Sequence, residues 1–167
     1  MITTDPILPL TLFIFCTATI YGAVCDAKSF TIPNTVSLTL VAVFAIHAGL
    51  VWGREPILLQ VGLGFLTFVI TFTFWRFRQI GGGDVKFISA LALWMHPQKI
   101  ALFFLLLALL SLAFIMALKW VRQWNAYFQH SHVPAVVKSL IDRSDQQVIP
   151  YGVPAALSAL AVMFLMR

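Results

Sequence analysis

Residues 100–118 run for nineteen positions without a charged side chain and with one hydroxyl, Ser111. A helix needs about 20 apolar residues to cross a bilayer. In lipid the backbone must satisfy its own hydrogen bonds, so an α-helix is the structure open to such a run. Other apolar stretches occupy about 6–25, 35–52, 56–75, 85–95 and 151–166, and the 100–118 run extends to about 120. The pattern predicts an all-α membrane protein, one integral-membrane domain over residues 1–167, with six membrane-spanning helices. The fourth is short. Its eleven residues reach only about 17 Å against a hydrocarbon core of ~30 Å. It either borrows length from the glycines before it and from His96-Pro97 after it, or it is a partial, buried helix.

Composition agrees. Hydrophobic residues make up 60% of the chain and charged residues 10%, against about 25% charged in soluble proteins. The net charge of +5 is better explained by topology than by nucleic acid, because the basic residues lie between apolar runs and form no stripe interleaved with aromatics. With six crossings, one side holds Lys28, Arg76, Arg78, Lys86, Lys119, Arg122, Lys138 and Arg143. The other holds Arg54, Lys99 and Arg167. Cytoplasmic loops carry the basic excess, so both termini are expected on the non-cytoplasmic side. The start of the chain, Met1 to Asp5, lacks a basic region ahead of its apolar segment, so the first helix is expected to stay as an anchor. Cys16 and Cys25 form no zinc-type pair and are read as free thiols.

The loop after the fifth segment places Val133, Val136, Val137, Leu140 and Ile141 at helical spacing opposite Lys138, Ser139, Asp142 and Arg143. That pattern predicts an amphipathic helix on the cytoplasmic surface. His130 and His132 lack further ligands for a metal and are read as solvated. His47 and His96 belong towards the opposite membrane face.

Two acids stand apart from this background. Asp26 closes the first apolar segment, and Asp84 follows Gly81-Gly82-Gly83. A carboxylate at membrane depth is expensive and marks a functional site by default. Two complete crossings separate the two, which returns Asp84 to the membrane face of Asp26. Each has a plainer reading: Asp26 as a solvated interfacial residue beside Lys28, and Asp84 as an N-terminal cap. The glycines permit close approach of another chain to Asp84. Pro33 suits a first helical turn, and Asn34 could orient an acid or a substrate amide. Lys86 either favours an ionised Asp84 or extends to the headgroups. Tyr151 is an interface anchor or a contact to the acids.

Asp26 followed by Ile32-Pro33-Asn34, together with Gly81-Gly82-Gly83-Asp84-Val85-Lys86 on six segments, resembles the type IV prepilin peptidases. These are membrane aspartyl proteases with a Gly-x-Gly-Asp motif. Pro150-Tyr151-Gly152 is similar to the last-helix opening of their short, tight-adherence pilus type. The resemblance implies a multi-pass aspartic endopeptidase of the bacterial inner membrane. It would cut the basic leader from prepilins and pseudopilins just after a glycine that precedes the pilin's apolar helix. Asp26 and Asp84 match the two catalytic acids, with Gly81, Gly82, Gly83, Lys86, Pro33 and Asn34 around them. Long family members also carry a Cys-x-x-Cys zinc insertion and an N-methyltransferase activity; this chain lacks those cysteines, so no methyl transfer is expected. Neither metal nor cofactor is implied, and membrane lipid is the surrounding partner.

Two adjacent carboxylates cannot both ionise cheaply, so the pair is expected to share a proton. One activates water, and the other donates to the scissile carbonyl. A small proton- or ion-coupled transporter using the same acids is the alternative, since intramembrane acids also mark ion pathways.

Overall fold

The computed structural model describes residues 7–53, 55–127 and 151–165. They form six helices: α1 Ile7–Ser29, α2 Asn34–Leu50, α3 Ile57–Arg76, α4 Gly82–Leu93, α5 Ile100–Tyr127 and α6 Gly152–Leu165. Among the described residues there is no strand, only an isolated bridge between Trp52 and Glu55. Three helical stretches are long and apolar enough to cross a membrane: Ile7–Ser29, Ile57–Arg76 and Ile100–Trp120. α2 and most of α6 are shorter apolar helices. The amphipathic helix expected near Val133 to Ile141, with His130 and His132, lies outside the described residues.

The fourth helix does take length from the glycines, since Gly82 and Gly83 are helical. At 12 residues, about 18 Å, it stays short. Its surroundings explain how a short helix survives in lipid. Asp84, Val85 and every residue from Phe87 to Ala92 are buried, against α2, α3 and α6. Apart from Gly82 and Lys86 no residue of α4 is exposed, so it is an interior element whose ends need not reach the headgroups. α1 packs on α2 and α6, and α6 also packs on α5.

The core is built around that buried helix: Phe87 and Leu91 from α4, Phe15 from α1, Leu40 from α2, Phe103 from α5 and Val162 from α6. Trp94, one residue past α4, fixes its deep end. Its indole N–H donates to the Leu40 carbonyl at 3.1 Å, and its ring lies 4.7 Å from that of Phe15. α3 shows the inverted pattern of a lipid-facing helix. Leu58, Phe65 and Leu66 are exposed, while the buried face holds Gln60, Gly64, Thr67 and Thr71. Lipid tails are as apolar as leucine, so small and hydroxyl side chains mediate helix contact instead. Thr71 meets Ser89 of α4 at 3.4 Å between hydroxyl oxygens.

Candidate active site

The first helix does not end with the first apolar run. α1 continues to Ser29, which places Asp26 in its last turn and leaves the carboxylate only 3% exposed. The chain then turns at Phe30, whose φ of 55° lies in the left-handed region, a conformation that costs a non-glycine residue about 1–2 kcal/mol. The Phe30 N–H closes that turn on the Asp26 carbonyl at 2.9 Å. Ile32 folds inward, 8% exposed, and α2 begins at Asn34 with Pro33 in the N-cap position. Pro33 therefore stands one residue ahead of the first turn expected for it.

Asp26 Oδ2 accepts the backbone N–H of Gly152 at 2.7 Å. Gly152 is the first residue of α6, where backbone N–H groups lack helical partners and the helix carries partial positive charge. A carboxylate from one helix thus occupies the amino end of another. No side chain fits between them: a Cβ on Gly152 would lie 2.7 Å from Asp26 Oδ2 and 2.9 Å from both Asp26 Cβ and Ile32 Cδ1.

Asp84 sits in the first turn of α4 and is 8% exposed. The N-cap of α4 is Gly81, in extended conformation and without a side-chain cap bond. Asp84 Oδ2 lies back against Gly81, where an added Cβ would come within 2.9 Å. Oδ1 is buried and has no hydrogen-bond partner among the described residues. The Gly81 backbone gives the carboxyl a hydrogen bond at this helix start, but capping does not account for the buried, unpartnered Oδ1, and such groups in native structures call for a functional explanation. Of the other glycines, Gly82 faces the Trp75 indole, and Gly83 faces Ile32, where an added Cβ would come to an ordinary 3.5 Å from its N, O and Cβ atoms. That last contact brings the α4 backbone onto the α1–α2 link.

Asp26 and Asp84 consequently line one cavity of about 220 Å³, with Phe30, Thr31, Ile32, Asn34 and the three glycines. One water needs about 10–15 Å³ by this measure, so the cavity can hold a water beside a peptide. Neither acid is solvated in the manner of a loop residue. Lys86 does not face Asp84; its Nζ donates to Asn34 Oδ1 at 2.8 Å on an exposed side. Pro33 shapes the start of α2 without lining the cavity.

Gly152 is the contact that the sequence reading missed. Its signal was the Pro150-Tyr151-Gly152 opening of the last helix, where a glycine stands at an amino end. At the other end of the bundle, His47 and His96 line a separate cavity of about 450 Å³. The His47 ring is held by Thr11 at 3.1 Å. Among the described residues, no group of three or more His, Cys, Asp or Glu side chains is placed to hold a metal ion. Cys16 and Cys25 are free, half-buried thiols.

The family model for the type IV leader peptidase family matches residues 13–116, a stretch that contains both acids and the glycine motif and stops before α6. No curated protein and no solved structure matches the chain.

Proposed function

The chain belongs to the type IV leader peptidase family, and on that premise we propose that it is an aspartic endopeptidase of the bacterial inner membrane. Its substrates are type IV and Flp-type prepilins and pseudopilins, from which it removes the basic leader at the cytoplasmic face. The observation that carries this reading is the shared cavity of Asp26 and Asp84, two acids far apart in the chain and both withdrawn from solvent.

The two carboxylates share one proton. The ionised member takes a proton from water as the water attacks the scissile carbonyl, and the protonated member donates its proton to the carbonyl oxygen; the first acid then passes the water-derived proton to the leaving amine while the second recovers its own from the diol hydroxyl. The pair titrates as a unit, so the roles belong to the dyad. The Gly152 and Val153 backbone N–H groups at the start of α6 hold Asp26 from behind. Asp84 Oδ1 is buried and has no partner among the described residues. The reaction needs no metal and no cofactor, and methyl transfer forms no part of it.

The topology that suits this reading has six crossings, both termini outside and the acids at the inner face. Lys28 in the last turn of α1 and Arg76 at the end of α3 stand at the acid end of the bundle, and basic residues favour the cytoplasmic side.

Asp26→Asn and Asp84→Asn keep the shape and remove the acid. Each alone is expected to lower prepilin cleavage by at least about a thousand-fold, within the range of general acid–base catalysis, while the protein still inserts. Wild-type processing by either variant would reject the dyad. Loss of a proton-coupled uptake in those variants, with processing intact, would favour a transporter.

A further inference from the structure

α2 and α3 follow each other in the chain, yet they do not pack side by side; each leans on α4 instead. The gap between them is an open groove of about 600 Å³ with α4 as its floor. Its three sides are helical stripes of one spacing: positions 34, 37, 38 and 41 in α2, 61, 64, 65 and 68 in α3, and 86, 89, 90 and 93 in α4. Each stripe covers two turns, about 10 Å. The floor is lowered by Ser89 and Ala90, while Leu38 and Phe65 stand on the walls 70% and 68% exposed.

One end of the groove is special. Asn34 and Lys86 meet there through their 2.8 Å hydrogen bond, and Asn34 also lines the acid cavity. The groove and the cavity are therefore continuous through one side chain. Acyl chains could cover an apolar groove anywhere on this protein, but they give no reason for it to end at the acids.

We propose that this groove is the docking site for the apolar helix of the prepilin. The proposal rests on the leader-peptidase reading and adds where the substrate lies. The helix beds between α2 and α3 on the α4 floor, in the manner of a helix in a groove read by i, i+3, i+4 and i+7 anchors. Its amino end stops at Asn34 and Lys86, so the peptide bond just ahead of it falls between Asp26 and Asp84. The position of the cut is then set by where an apolar helix begins, and the basic leader is left in the cytoplasm.

The test fills the groove from its exposed walls. Val41→Trp and Val61→Trp replace side chains 42% and 45% exposed, and Leu109→Trp on α5, 53% exposed, serves as the control. Two substrates are compared in each: the full-length prepilin, and a water-soluble leader peptide that ends shortly after the cleavage point. In both groove variants the ratio of kcat/KM for prepilin to that for peptide is expected to fall about ten-fold or more, and in the control it stays unchanged. A photo-crosslinker at position 41 or 61 is expected to capture the prepilin's apolar helix. If wild type cuts prepilin and both groove variants keep the wild-type ratio, the docking site is overturned while the peptidase reading stands. Crosslinks to lipid alone, during active turnover, overturn it equally. A wild-type chain that cuts neither substrate overturns the peptidase reading and this site with it.

Discussion

Gly152→Ala tests the site with one added methyl group. The new Cβ would sit 2.7 Å from Asp26 Oδ2, and 2.9 Å from Asp26 Cβ and Ile32 Cδ1. The closest of these is about 0.7 Å short of ordinary van der Waals contact, and Ile32 is itself buried. Relief must come from Asp26 swinging away or from α6 withdrawing its first turn. Either movement lengthens the 2.7 Å bond from the Gly152 N–H to about 3.4 Å, beyond the usual N–H···O range. A hydrogen bond to a charged group contributes about 1.5–3 kcal/mol. If that is lost where the acid reacts, kcat/KM falls by about 10- to 150-fold. The assay is cleavage of a prepilin by purified enzyme in detergent or liposomes, with thermal unfolding followed in parallel. Gly62→Ala is the control, because a Cβ there meets nothing within 4 Å. Wild-type cleavage by Gly152→Ala would show that the α6 amide does not hold Asp26 during catalysis. Equal losses in the two variants would point to a general cost of alanine in these helices.

The three glycines before Asp84 are expected to differ. Gly81→Ala drives a methyl to 2.9 Å from Asp84 Oδ2 and should lower cleavage by more than about ten-fold, a displacement worth about 1.4 kcal/mol. Gly83→Ala meets Ile32 at an ordinary 3.5 Å; it should cleave well and raise stability by up to about 1 kcal/mol through helix propensity, read from the unfolding midpoint. Gly83→Val carries methyls further into the Ile32 backbone and should impair processing, and equal turnover by the alanine and valine variants would refute that packing argument. Lys86→Met breaks an exposed hydrogen bond and should change stability by less than about 1.5 kcal/mol. Because Lys86 does not reach Asp84, Lys86→Met should leave the pH profile of cleavage in place; a shifted profile would mean that the ammonium moves to the acid during turnover.

Much of this was legible in the sequence for a physical reason. Helix formation in lipid depends on apolar length, and length can be counted, so the helical segments were found within a few residues, except that α5 runs on past the apolar stretch to Tyr127. The acids stood out because membrane depth makes a carboxylate expensive. The extra turn of α1 was less visible, because Asp26 and Lys28 break the apolar run without breaking the helix. Gly152 was hidden for another reason. Its role depends on which helix end comes to rest against Asp26, and that is decided by packing between segments at opposite ends of the chain. The groove between α2 and α3 was hidden too, since hydropathy does not separate a stripe that faces lipid from one that lines a groove.

The two acids are held by a common device. Side-chain hydrogen-bond donors are scarce in a membrane bundle, but every helix begins with backbone amides that have no partner in their own helix. Asp26 takes such an amide from α6, and Asp84 lies against the Gly81 backbone where α4 begins. In both places the residue that meets the carboxylate is glycine, with room for a Cβ on neither: 2.7 Å remains at Gly152 and 2.9 Å at Gly81. The glycine ahead of Asp84 and the glycine that opens the last helix therefore answer the same steric demand. The frame that positions the acids is made of backbone, which explains how two buried carboxylates are held with so few polar side chains in so apolar a chain.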